Sequence, residues 1–173
     1  MLRELAKDSA YQEQIDEEYI DNLYKAAPLH DIGKIKIPDA ILQKPGKLTT
    51  EEFDVMKTHT TEGGRIIDQT IGKIEEGSYI DTAHDVAKYH HEKWDGNGYP
   101  EGLSGNEIPL SARVMAVADV FEALISERCY KKAFSLDKAY EIIQEGRGTQ
   151  FDPVIVDVFV RLRPEVEKYL KKS

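Results

Sequence analysis

Apolar residues recur at helical spacing along most of the chain, and the interruptions fall at a few clusters of Gly and Pro, which predicts a mostly α-helical protein. A short charged helix is expected over about Leu2–Gln12. A second is expected over Asp16–Lys34, where Ile20, Leu23, Tyr24, Ala27 and Ile32 lie near one face, with Pro28 awkward inside it. Pro38, Pro45 and Gly46 mark a turn region. Thr49 with Glu52 then forms a Thr-x-x-Glu capping box that opens a helix through Phe53, Met56 and His59 to Ile67. Further helices are predicted over Tyr79–His91, from Pro109 to Ser126, from a Ser135 cap to Glu145, from the Asp152-Pro153 start to Leu162, and from Pro164 onward. The stretch WDGNGYPEGLSGNEIP, too rich in Gly and Pro for any regular element, is the one long loop.

Composition narrows the class. With 173 residues and 40% hydrophobic content the chain can fill one core, and a single domain over residues 1–173 is expected. No apolar run approaches the ~20 residues of a membrane helix or the ~7–15 of a signal peptide. The lone Cys129 offers neither an internal disulfide nor a thiolate metal cluster, and a reducing cytoplasmic setting fits best. The formal net charge of −9 argues against neutralising a nucleic acid polymer. A small phosphate ligand would then need a metal or a few placed cations.

Metal-competent residues gather at His30-Asp31, His59, His90-His91-Glu92 and Asp119. One such residue carries little weight; the set is the signal. An imidazole beside a carboxylate that can bridge two cations suits phosphate-ester hydrolysis. On a helical wheel Asp119 lies among Ala112, Met115, Ala116, Ala123 and Ser126, away from the apolar face of Val114, Val117, Ala118, Phe121, Leu124 and Ile125. A carboxylate among small residues needs a cation beside it. Lys34, four residues after His30, is expected on the same side of the helix, within reach of a phosphate. Arg128 and Lys131 follow as two further cations for a phosphodiester.

LHDIGKIKIPD (29–39), KTHTTEGG (57–64), YHHEKWDGNGYPEGLSGNEIPLSARVMAVADVFEAL (89–124), YKKAF (130–134) and GTQFDP (148–153) together resemble the HD-GYP domain, a branch of the HD phosphohydrolase superfamily. Its active members hydrolyse cyclic di-GMP. The resemblance runs from about Ala26 to the C-terminal end. It implies an all-α bundle with a central metal site and, next to it, a long loop that carries the GYP signature Gly98, Tyr99 and Pro100. It also implies His30, Asp31, His59, His90, His91 and Asp119 as ligands of two divalent metals, iron or manganese before zinc or nickel. Lys34 then stands near the scissile phosphate and Arg128 and Lys131 at the ligand's phosphates. The implied partners are cyclic di-GMP and, through the GYP loop, diguanylate cyclase domains.

Two departures stand beside the match. Cys129 occupies a position where the family commonly has Pro, and no His precedes His30, so the family's first ligand-bearing helix is expected to be missing. Its absence would uncover apolar surface and invite a homodimer. His84 matches no ligand position and is read as structural. The expected function is a metal-dependent phosphodiesterase giving the linear dinucleotide or GMP. The rivals are a cyclic di-GMP-binding or cyclase-contacting module without turnover, and an HD phosphohydrolase acting on another nucleotide.

Overall fold

A computed structural model describes residues 1–71, 78–127 and 132–171. In chain order the α-helices are α1 (Leu2–Leu5), α2 (Glu17–Ala26), α3 (Asp39–Leu42), α4 (Thr50–Lys57), α5 (His59–Ile66), α6 (Ser78–Tyr89), α7 (Leu110–Ile125), α8 (Leu136–Glu145), α9 (Pro153–Arg161) and α10 (Arg163–Leu170). No strand forms among the described residues beyond the isolated bridges Asp95–Ser104 and Arg147–Phe151, so the fold is all-α as expected. None of these helices is long and apolar enough to cross a membrane.

Helix α7 is the axis of the bundle. Every residue from Leu110 to Val117 is buried, and α6, α8 and α9 pack around it. The core on its far side joins Val117, Phe121 and Leu124 to Tyr140, Ile143, Phe151, Ile155 and Phe159, with Tyr140 stacked on Phe159 at 5.1 Å between ring centroids. A smaller cluster of Ala26, Ile67, Ile80, Ala83 and Ala87 joins α2 to α6 on the near side.

Several start signals operate as the sequence implies. Thr49 and Glu52 form both bonds of the capping box, Ser135 accepts from the Lys138 amide, and Asp152 accepts from the amides of Val154 and Ile155. The ends of the helices depart from expectation, each for a local reason. The first helix stops after Leu5, and Asp8 Oδ1 accepts from the Ala10 amide, a local bond that competes with helix. Pro28, without an N–H, ends α2 at Ala26, and the chain continues as two 3₁₀ turns, Ala27–Leu29 and Ile32–Lys36. The predicted helix over 49–67 is broken at Thr58, whose hydroxyl bonds back to the Val55 carbonyl. Helix α6 ends at Tyr89, leaving His90 and His91 in a turn. The long loop contains one 3₁₀ turn, Gly105–Glu107, closed by its own Ser104–Glu107 capping box.

A buried ion pair ties the N-terminal segment, the long loop and α9 to α7. Arg113 Nη1 donates to Asp152 Oδ2 at 2.7 Å, to Asn106 Oδ1 at 3.1 Å and to the Tyr11 hydroxyl at 3.0 Å, while the Tyr11 hydroxyl also bonds Asp152. The Asp152 side chain is 0% exposed, so removing its cation leaves an uncompensated buried charge. Arg113→Met should cost about 3–5 kcal/mol in urea unfolding. The double variant Arg113→Met with Asp152→Asn, which keeps a cap but no charge, should recover part of that loss.

Candidate metal centre

The irregular segments between helices carry the candidate site. His30 and Asp31 lie in the turn between the two 3₁₀ segments, His59 opens α5, His90 and His91 follow α6, and Asp119 lies on α7. Gly33 brings the first of these segments into contact with α5. A Cβ at Gly33 would lie 1.9 Å from the His59 carbonyl oxygen and 2.5 Å from the Gly63 nitrogen, so only hydrogen fits there.

The imidazoles are aimed by backbone carbonyls. His30 Nδ1 lies 2.9 Å from the Ala27 oxygen, His59 Nδ1 2.8 Å from the Met56 oxygen and His90 Nδ1 2.8 Å from the Val86 oxygen. A carbonyl only accepts, so each Nδ1 carries the hydrogen and each Nε2 presents its lone pair when the ring is neutral. His59 Nε2 and His90 Nε2 face each other at 3.5 Å, and Asp31 Oδ1 stands 3.5 Å from the first and 3.9 Å from the second. Asp31 Oδ2 lies 3.3 Å from His30 Nε2, which is 3.6 Å from Asp119 Oδ1. Nitrogen ligand atoms of His59, His90 and His91 all fall within 4.8 Å of one another.

Burial pulls the pKa of His90 down to about 3 and that of His91 to about 4, with neighbouring histidines adding to the effect, and burial also lowers His59. These rings are therefore neutral at pH 7, the form that ligates a metal. Burial also works against charge on His30, but the hydrogen bonds to Asp119 and Asp31 outweigh it and raise its pKa to about 10. For Asp31 and Asp119 burial is likewise overcome, and both carboxyls are held below their ordinary range, Asp31 by His30 and Lys34 and Asp119 by His30. Opposed lone pairs with two ionised carboxylates beside them form a donor set that fits a divalent cation.

The segment is 3₁₀ rather than the continuous helix the sequence implies, yet Lys34 and His30 still meet on one side: Lys34 Nζ donates to Asp31 Oδ2 at 2.5 Å, the same oxygen that lies 3.3 Å from His30 Nε2. A cleft of about 270 Å³ opens beside the site, lined by Asp31, Lys34, His91, Asp119, Val120, Ala123 and Leu124. In the GYP turn, Tyr99 stacks on His91 at 4.9 Å and meets Phe53 edge-on at 6.3 Å. Gly98 lies against the backbone of Glu92 and Lys93, where a Cβ would come within 2.3 Å of the Lys93 nitrogen. Glu92, grouped by sequence with the metal-competent residues, turns away: both its oxygens accept from loop amides. That role, like the Phe53 contact, leaves no signal in the sequence. His84 pairs with Asp68 at 2.7 Å. Arg128, Cys129 and Lys131 lie outside the described residues.

The family model for the HD domain matches residues 1–155, and the chain belongs to the HD-domain family, in which divalent metal binding is the rule. It is 52% identical over 90% of its length to a cyclic di-GMP phosphodiesterase of Vibrio cholerae serotype O1, spanning 32% of that protein. It is 45% identical over 92% of its length to a cyclic di-GMP phosphodiesterase of Thermotoga maritima, spanning 42% of it. A 3′3′-cGAMP-specific phosphodiesterase of V. cholerae is 40% identical over 81% of the chain, which spans 26% of that relative. The chain thus spans less than half the length of these relatives. The crystal structure of a cyclic GMP-AMP-specific phosphodiesterase of V. cholerae superposes with a TM-score of 0.57 at 20% identity, covering 90% of this chain and 41% of that one, a likeness of fold.

Gly33→Ala should push the Asp31 turn off α5, lowering stability by about 1–3 kcal/mol or more and loosening bound metal. Gly64→Ala, whose Cβ would meet the Lys88 and His84 side chains at 3.2–3.4 Å, should cost far less, and thermal unfolding with metal analysis of both variants checks the contrast.

Proposed function

We propose that the protein is a metal-dependent phosphodiesterase that hydrolyses cyclic di-GMP, to the linear dinucleotide or to GMP, in bacterial second-messenger signalling. The observation that carries this reading is the convergence of imidazoles and ionised carboxylates beside the 270 Å³ cleft, which Asp31, His91 and Asp119 themselves line. It occurs in a chain that resembles cyclic di-GMP phosphodiesterases at 45–52% identity.

His30, Asp31, His59, His90, His91 and Asp119 would hold the metal, His30 once it has released the proton that Asp31 and Asp119 hold on it. The mixed nitrogen and oxygen donor set suits two divalent ions, iron or manganese. When bound, such ions supply a water of lowered pKa and neutralise charge on the phosphoryl oxygens.

The chain's own groups do the rest. The Lys34 ammonium, oriented by Asp31 Oδ2, faces the cleft and donates to the leaving 3′ oxygen as negative charge develops there. Asp31 thus serves two purposes, one oxygen toward the imidazoles of His59 and His90 and the other toward Lys34 and His30. Val120, Ala123 and Leu124 add apolar surface to the lining of the cleft. Arg128 and Lys131, outside the described residues, would contact the phosphates of the dinucleotide. Tyr99, braced by His91 and Phe53, offers an aromatic edge to the substrate or to a cyclase domain.

The deciding experiment is elemental analysis of protein purified without chelator, paired with turnover of cyclic di-GMP and of 3′3′-cGAMP. Two metals per chain with faster hydrolysis of cyclic di-GMP are expected; faster hydrolysis of 3′3′-cGAMP would reassign the substrate, and bound nucleotide without turnover would make this a binding module. Asp31→Ala should abolish metal binding and turnover together, a loss beyond the about 10–100-fold typical of residues that only support ligands, with the helical circular dichroism intact. Arg128→Ala combined with Lys131→Ala should weaken nucleotide binding by about tenfold or more, since charge-assisted hydrogen bonds contribute roughly 1.5–3 kcal/mol. Metal content should not change in that variant, and unaltered affinity would remove the phosphate role.

A further inference from the structure

Glu92 is the side chain in this region whose chemistry the proposed reaction does not use. It is 3% exposed, and it follows the two histidines directly. Its Oε1 accepts from the amides of Glu101 at 2.7 Å and Gly102 at 3.1 Å, and its Oε2 accepts from the Leu103 amide at 3.1 Å. A carboxylate taking N–H bonds from consecutive residues pins that backbone as a helix cap pins a first turn.

The segment pinned this way is the far side of the GYP turn. On the near side, Gly98 lies against the Glu92 and Lys93 backbone and the Tyr99 amide donates to the His91 carbonyl at 3.2 Å. Lys88 adds an outer tie, its Nζ 2.7 Å from Glu101 Oε1. The turn from 98 to 103 is thereby fastened at both ends to the residues that directly follow α6. Tyr99, between the two fastenings, is laid flat on His91.

We propose that Glu92 is a positioning residue: its carboxylate holds the 98–103 turn so that Tyr99 stays stacked on His91, which lines the cleft, without itself holding metal. The effect on substrate rests on the phosphodiesterase reading; the effect on the loop does not.

The test compares Glu92→Ala, Glu92→Gln, Tyr99→Ala and the double variant Glu92→Ala/Tyr99→Ala in the whole chain. Hydrogen exchange reads the loop directly, because the amides of Glu101, Gly102 and Leu103 bond to this carboxylate. Their exchange should accelerate about tenfold or more in Glu92→Ala, with α7 amides and metal content unchanged. Glu92→Gln keeps one oxygen for Glu101 and Gly102 and should fall between wild type and Ala, which keeps the idea testable should the Ala variant fold poorly. In turnover, Glu92→Ala should raise KM about tenfold with kcat changed less than threefold, and should add little in the Tyr99→Ala background. Unchanged exchange at 101–103, loss of metal in Glu92→Gln, or equal KM effects of Glu92→Ala with and without Tyr99 would each overturn the proposal. Absence of turnover in wild type with accelerated exchange in Glu92→Ala would instead count against the phosphodiesterase reading and leave the loop role supported.

Discussion

The site depends on a contact between two backbones. Where Gly33 meets the His59 carbonyl and the Gly63 nitrogen there is room for a hydrogen and nothing larger, and this closeness brings Asp31 beside His59 and His90. A wider separation would put the carboxylate outside the reach of both imidazoles. The rest of the bundle maintains the approach: α5 packs on α6, α6 packs on α7, and α7 delivers Asp119 from the opposite side.

The breaks in the helices do as much as the helices. His30, His59 and His90 each turn their Nδ1–H back onto a carbonyl three or four residues earlier, and each sits where a regular helix begins, ends or changes pitch. Regular helix from 78 through 91 would send His90 and His91 about 100° apart, whereas the turn after Tyr89 lets both join the cluster with their rings 4.1 Å apart. The Pro28 interruption does the same for the segment carrying His30, Asp31 and Lys34, since the tighter 3₁₀ winding lets Lys34 reach back to Asp31.

Electrostatically, the chain places a few ionised groups inside a neutral imidazole field. Burial keeps His59, His90 and His91 uncharged, while Asp31 and Asp119 stay ionised because His30 and Lys34 are within bonding distance. Among the described residues Lys34 is the cation lining the cleft, beside the ionised Asp31 and Asp119, so with an overall charge of −9 an anionic ligand there would depend on a metal to offset those carboxylates.

Much of this was legible in the residues. The helix starts at Thr49, Ser135 and Asp152 follow from side chains that bond to amides two or three positions on, and such local chemistry survives in any tertiary setting. The histidines and carboxylates could be picked out by type and by their resemblance to a family pattern, and α7 by its apolar length. What the sequence left open is where each helix stops, because an ending is settled by competition: Thr58 and Asp8 bond locally, and Tyr11 is drawn from its expected helix to the buried Asp152. The destination of Glu92 was also beyond local reading, since amides nine to eleven residues away become its partners only when the loop folds over it. Residue type and near-neighbour bonds thus determined the elements and the chemistry available. The close approach at Gly33, the meeting of the imidazoles and carboxylates from separate segments and the loop's anchor were decided by three-dimensional packing, since those contacts join residues that sequence spacing does not bring together.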